Sequence, residues 1–189
     1  MIVSNRLAQC LNPGLPSGVH QKTLEVYSFI FSQIGQTGLS DDLKVWLPGL
    51  LPLFKYASLV QKSHFLTLFE TFIIPLGPSF RPAQKSIILA LLPGLEEEHG
   101  EYFEKTLFVL DQIRVAVKEE EGFFWQCLWL AIATSVEQRV GACNYCLKRM
   151  ESLGKKESGM SPHLPSDLKV SRYTLHRIQD YLYERCVPD

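Results

Sequence analysis

No stretch of this sequence alternates apolar and polar residues for more than a few positions, and neither Asn-Gly nor Asp-Gly occurs. Half-buried strands and tight hairpins carry those signals, so their absence excludes a typical β-rich fold. Long apolar runs are missing too. Ile87–Leu95 and Phe123–Ala133 are the longest, far short of the roughly 20 residues that span a bilayer. The opening segment, MIVSNRLAQC, has no apolar core of secretory length. Charge of one sign is lacking as well. With 19 basic and 20 acidic residues the net charge is −1, which gives no general drive toward nucleic acid. Five cysteines, an odd number without framework spacing, fit a reducing compartment. These absences lead us to expect a soluble, cytosolic chain.

Catalytic signatures are sparse. There is no Gly-x-Ser-x-Gly, no phosphate-binding Gly-x-x-x-x-Gly-Lys and no His-Glu-x-x-His. Glu96-Glu-Glu-His99 holds one Glu-x-x-His, whereas di-iron bundles need two. Cys143-Asn-Tyr-Cys146 resembles half of a zinc or redox site, but no second ligand pair lies at a fitting distance. Two cysteines three apart on a helix are more often small buried residues. An alternative function therefore uses Cys143 and Cys146, with Glu98 and His99, in a small helical metal- or redox-binding protein. Ser63-His64 is no nucleophile–base pair, because adjacent helical residues point apart. His20 and His64 read as surface or capping groups, and Phe123, Phe124, Trp125 and Trp129 as core.

What the chain has is helical periodicity. Leu24, Tyr27, Phe31 and Ile34 recur at one-face spacing, after Pro16-Ser17 and before Gly35 and Gly38. Ser40 is the expected N-cap of the next helix, with Asp41 and Asp42 in its first turn. Lys62–Ile74 reads as a helix stopped by Pro75-Leu-Gly-Pro78, and Pro82 opens another. Phe103, Leu107, Leu110, Ile113 and Val117 share a face. Gly122 separates them from Phe123–Thr134, apolar almost all round, and Glu137–Ser152 follows. Gly154–Pro165 reads as a linker, and Tyr173, Leu175, Ile178 and Leu182 as a final helix.

One tetrapeptide repeats. Leu-Pro-Gly-Leu stands at Leu47–Leu50 and again at Leu92–Leu95. Proline has no N–H for the helical ladder, so each copy is expected to end a helix and make a corner. Helices punctuated at such intervals suggest pairs stacked as in HEAT or armadillo arrays, whose repeats run about 40 residues. A compact bundle of proline-kinked helices is the other arrangement compatible with this periodicity. The expected organisation is an all-α domain over 1–153, a linker over 154–166 and a C-terminal helix over 167–189.

Charge is distributed unevenly. The net value is +3 over residues 1–94, −6 over 95–125 and +2 over 126–189. Glu96, Glu97, Glu98, Glu101 and Glu104 follow the second Leu-Pro-Gly-Leu. They read as a solvated helix start, or as an acidic docking patch for a basic protein surface. Lys148, Arg149, Lys155 and Lys156 are candidates for contact with anionic lipid headgroups.

Several stretches together resemble the N-terminal region of the Dopey family. They are RLAQCLNPGLPSGVHQKTLEVY (Arg6–Tyr27), TLFETFIIPLGPSFRP (Thr67–Pro82), LLPGLEEE (Leu91–Glu98), FFWQCLWLAIATS (Phe123–Ser135) and RVGACNY (Arg139–Tyr145). The resemblance covers about residues 5–150 and leaves Gly154–Asp189 unmatched. It implies part of a very large α-solenoid scaffold, peripheral on trans-Golgi network and endosome membranes. Such proteins associate with a large Golgi scaffold related to guanine-exchange factors and with an aminophospholipid flippase. The resemblance carries no catalytic residues and no cofactor.

Overall fold

The computed structural model describes residues 2–117 and 121–156, with side chains in the last helix to residue 149. Every regular element among these residues is helical. They are α1 (Ile2–Cys10), α2 (Ser17–Asp41), α3 (Leu43–Leu50), α4 (Leu53–Tyr56), α5 (Leu59–Leu68), α6 (Gln84–Leu91), α7 (Phe103–Ala116), α8 (Glu121–Thr134) and α9 (Val136–Lys156). A π-helical turn (Phe69–Ile73) and a 3-10 segment (Ile74–Ala83) join α5 to α6, and a 3-10 turn (Leu92–Leu95) follows α6. The all-α expectation is met.

Local chemistry accounts for several boundaries. Leu24, Tyr27 and Phe31 of α2 are buried as their spacing predicts, while Ile34 is 36% exposed. Gly35 breaks α2 with φ 68° and ψ 179°, a backbone region open mainly to glycine. Gly77, at φ 55°, turns the chain inside Pro75-Leu-Gly-Pro78. Gln61 stabilises the start of α5: its Oε1 accepts the Ser58 backbone N–H at 2.9 Å, and its Nε2 donates to the Ser17 carbonyl at 2.8 Å. Phe103, Leu107, Leu110, Ile113 and Val117 are all buried.

Other expectations are corrected. Ser40 does not cap; its hydroxyl donates back to the Thr37 carbonyl, and the cap position of α3 belongs to Asp42. The first Leu-Pro-Gly-Leu is not a corner, because α3 continues through Pro48 to Leu50. The helical bond that Pro48 removes would have gone to the Lys44 carbonyl. Both residues are exposed, and α3 packs on α1 and on the 3-10 segment after α5, so tertiary contacts hold the helix where the bond is lost. The second copy behaves as expected and ends α6 in a 3-10 turn. No helix opens at Glu96, since α7 starts at Phe103. The last helix continues to Lys156, past the point where the linker was expected at Gly154. The rest of that linker and the terminal helix lie outside the described residues.

Packing passes stepwise along the chain. Helix α1 lies on α2 and α3, α2 on α5 and the following 3-10 segment, α6 on α7 and α8, and α9 on α8 and the Leu92–Leu95 turn. Among the described residues neither α1 nor α2 has an extensive contact with α8 or α9. The core is a continuous apolar seam with an aromatic centre. Phe54 and Phe65 have ring centroids 5.0 Å apart, and Phe65 stacks on Phe69 at 4.5 Å.

Candidate functional site

The clearest convergence of sequence motifs is where RVGACNY in α9 lies along LLPGLEEE. At one end, Gly141 meets the Leu92 backbone so closely that a Cβ would stand 1.9 Å from the Leu92 oxygen. In the middle, buried Asn144 donates through Nδ2 to the Leu95 carbonyl at 2.7 Å and to the Glu96 carbonyl at 3.4 Å. These carbonyls close a 3-10 turn where no helical donor follows, so the amide does what a further turn would have done. Beyond it, Lys148 forms an ion pair with Glu98.

The neighbouring turn of α9 holds a second polar cluster. The Tyr145 hydroxyl donates to Asp111 Oδ1 of α7 at 2.8 Å. Arg149 pairs with the other Asp111 oxygen and lies 5.6 Å from the Tyr145 ring centroid. Burial pushes the Tyr145 phenol far above its ordinary value, and the Asp111 carboxylate adds to the shift.

The acidic and basic clusters named from the sequence are therefore brought together in part. Lys148 and Arg149 have carboxylate partners within the chain. Glu98 is engaged, while Glu96, Glu97, Glu101 and Glu104 are exposed. Only Glu104 lies in a helical first turn; the others stand on the irregular segment between Leu95 and Phe103. The side chains of Lys155 and Lys156 lie outside the described residues. Charge composition alone gave no sign of pairing across some fifty residues of sequence.

Cys143 and Cys146 both lie on α9, Cys143 buried and Cys146 partly covered. Burial raises the Cys146 thiol to about 12, with Cys143 contributing in the same direction, which opposes the thiolate needed for metal or redox work. Glu98, the carboxylate of that alternative site, is turned to Lys148. Among the described residues no three His, Cys, Asp or Glu side chains are grouped to hold a metal.

His20 and His64 have structural partners. His20 Nε2 lies 2.8 Å from the Asn12 carbonyl, and His64 lies between Gln21 at 3.0 Å and Ser28 at 3.4 Å. Phe124 is fully buried and Trp125 and Trp129 pack on the core, while Phe123 stays 38% exposed.

Sequence reading missed one surface feature. An open groove of about 440 Å³ runs between α3–α4 and α6, lined by Pro48, Leu51, Pro52, Tyr56, Leu89 and Pro93. Both Leu-Pro-Gly-Leu prolines stand in its walls. The repeat itself was the available signal, but its two copies meet only in the folded chain. Lys55 and Glu137, paired at 2.8 Å, close one rim.

Fold and site thus define an all-α protein whose polar clusters join its own helices. The Dopey N-terminal family model matches residues 1–185, and the chain belongs to that family. The match runs beyond residue 150 into the segment that the motif resemblance left unaligned. Protein dop1 of Emericella nidulans is 42% identical over 176 residues, covering 86% of this chain and 10% of that protein. Protein DOP1 of Saccharomyces cerevisiae is 35% identical over 89% of this chain and 10% of its own length. Protein DOP1B of Mus musculus is 38% identical over 85% of this chain and 7% of its own. The chain thus spans a tenth or less of the length of the relatives it matches. No solved structure matches it.

Proposed function

We propose that this chain is a non-catalytic module of a scaffold or adaptor in Golgi–endosome vesicle-mediated protein transport and membrane organisation. The observation that carries the reading is membership of the Dopey family over nearly the whole chain, on an all-α frame of stepwise packed helices. Such frames present extended surfaces to partners rather than a closed reaction pocket. Asp111, Glu98, Lys148 and Arg149 are used in holding helices together, which fits a structural role for the most conspicuous charged groups.

The partners this reading assigns are a large Golgi scaffold related to guanine-exchange factors and an aminophospholipid flippase. Contact with trans-Golgi and endosomal membranes would be peripheral and made through that complex. Among the described residues no helix is long and apolar enough to cross a membrane, and Lys148 and Arg149 are already paired. Fluorescence imaging of the tagged chain tests the reading. Enrichment over a trans-Golgi marker, beyond that of the fluorescent tag alone, is expected. A uniform distribution identical to the tag alone would overturn it for this chain.

A further inference from the structure

Helix α8 is apolar almost all round, and a helix of that kind is normally covered on every side. Among the described residues its extensive contacts are with α6, α7 and α9. Phe124, Cys127, Leu128, Ala131 and Ile132 are buried. The side left open carries Phe123, Gln126 and Leu130, at the three- and four-residue spacings of one helical face. All three are exposed, Phe123 by 38% and Leu130 by 43%. Two large apolar side chains thus stand in water on one face, about 10 Å apart along the axis.

The chain itself comes back to this place. Arg139 Nε donates to the Ile132 carbonyl at 2.8 Å, and the Phe124 and Tyr145 ring centroids are 5.4 Å apart. These pairs set α8 and α9 antiparallel, so α9 travels back toward Phe123 and runs on to Lys156. The chain therefore leaves α9 at the end of α8 where Phe123 stands. Residues 157–167 follow, and then Leu168, Leu175, Ile178 and Leu182. Their intervals of seven, three and four fit one face of a helix. Leu175 and Leu182 repeat the seven-residue interval of Phe123 and Leu130. The intervening segment reaches up to about 36 Å, enough to turn back onto α8. A helix over 168–182 has a length of about 22 Å, which matches the 14 residues of α8. The Dopey N-terminal model runs through residue 185, so this segment belongs to the same family unit as the described helices.

From these relations we propose that residues 168–182 dock as an amphipathic helix on the Phe123–Leu130 face of α8. Leu168, Leu175, Ile178 and Leu182 supply its apolar side. A segment tethered this closely acts at an effective concentration of about millimolar, so it takes the face ahead of a free partner. The face is then part of the fold, and the partners of a scaffold bind elsewhere. The inference does not rest on the trafficking reading.

The test is hydrogen–deuterium exchange of the full chain, read by mass spectrometry on peptides from 168–182. Their amides are expected to exchange at least about tenfold more slowly than those of an unstructured peptide. F123D, L130D and I178D should each return them to the unstructured rate. F29D, at an exposed position of α2, should leave the protection unchanged, because α2 has no extensive contact with α8. Circular dichroism melts confirm that the variants fold, and F123D keeps the test informative if L130D does not. Absence of protection in the wild-type chain would overturn the proposal. So would protection that survives both F123D and L130D, or that is lost equally in F29D. Protection that grows with protein concentration would overturn it too, and would assign the face to a second copy of the chain.

Discussion

Gly141 stands against the Leu92 backbone where α9 packs on the 3-10 turn that ends α6. A Cβ on Gly141 would lie 1.9 Å from the Leu92 oxygen and 2.7 Å from its carbonyl carbon. Backbone cannot give way as a flexible side chain does, so G141A must separate the two elements. Its cost is expected at about 3 kcal/mol or more, the upper end for overpacking. Asn144, next along the contact, is expected to cost about 1–3 kcal/mol as N144A, which strands the buried Leu95 carbonyl. Urea unfolding of the purified chain measures both. Stabilities within about 0.5 kcal/mol of wild type would contradict the packing described.

The two Leu-Pro-Gly-Leu glycines make a related prediction. A Cβ on Gly49 would come 2.4 Å from Ala8 Cβ, and one on Gly94 would come 2.7 Å from both Phe54 Cε1 and Thr106 Oγ1. Replacing glycine in a helix by alanine gains about 1 kcal/mol, but overpacking costs about 1–3 kcal/mol. At these distances the clash dominates. G49A should therefore loosen α1, seen as faster amide exchange across Ile2–Cys10. Adding A8G should restore part of the protection, and an A8G/G49A double variant no better protected than G49A would contradict the contact.

How much of this was legible beforehand follows the range of the interactions. Local signals read correctly: the buried face of α7, the break at Gly35 and the turn at Gly77 depend on residues within a few positions. Pro48 misled because α3 runs through it to Leu50 while packed on α1 and on the 3-10 segment after α5, and tertiary packing can offset the helical bond that a proline removes. The glutamates after Leu95 looked like a helix start, but Asn144 closes that turn from 49 residues away. No local pattern encodes such a contact. The groove was illegible for the same reason, since its walls bring together residues 48–56, 86–93 and 137–138, which meet only in the folded chain.

Alkaline pH should destabilise the fold. Burial raises Tyr27 from 10.0 to about 12 and Cys146 from 9.0 to about 12, and Tyr56, Tyr145 and Cys127 move in the same direction. A raised value means that the folded chain holds its proton more tightly than the unfolded one. Stability is therefore full below about pH 9 and lost as pH rises toward 12, from about pH 9 for Cys146 and from about pH 10 for Tyr27, by at most about 1.4 kcal/mol per pH unit for each of the two. Urea midpoints between pH 7 and 11 should stay level and then fall. The C146A variant should fall less steeply from pH 9. A flat profile would contradict the burial of these groups.

The Lys148–Glu98 pair is partly exposed, at 26% and 49% of the side chains. Its coupling should be small, about 0.2–1 kcal/mol in a double-mutant cycle, and weaker in high salt. K148E alone should destabilise by a similar amount, and K148E with E98K should recover most of it. Absence of recovery would place these two charges apart in solution.

The most direct test of the trafficking account is affinity capture of the tagged chain from a cytosol-plus-Golgi extract, quantified by mass spectrometry. The account predicts enrichment of the large Golgi scaffold related to guanine-exchange factors, or of the aminophospholipid flippase, over a tag-only control. Recovery of chaperones alone, with neither partner above control, would contradict the claim that these residues carry the binding function.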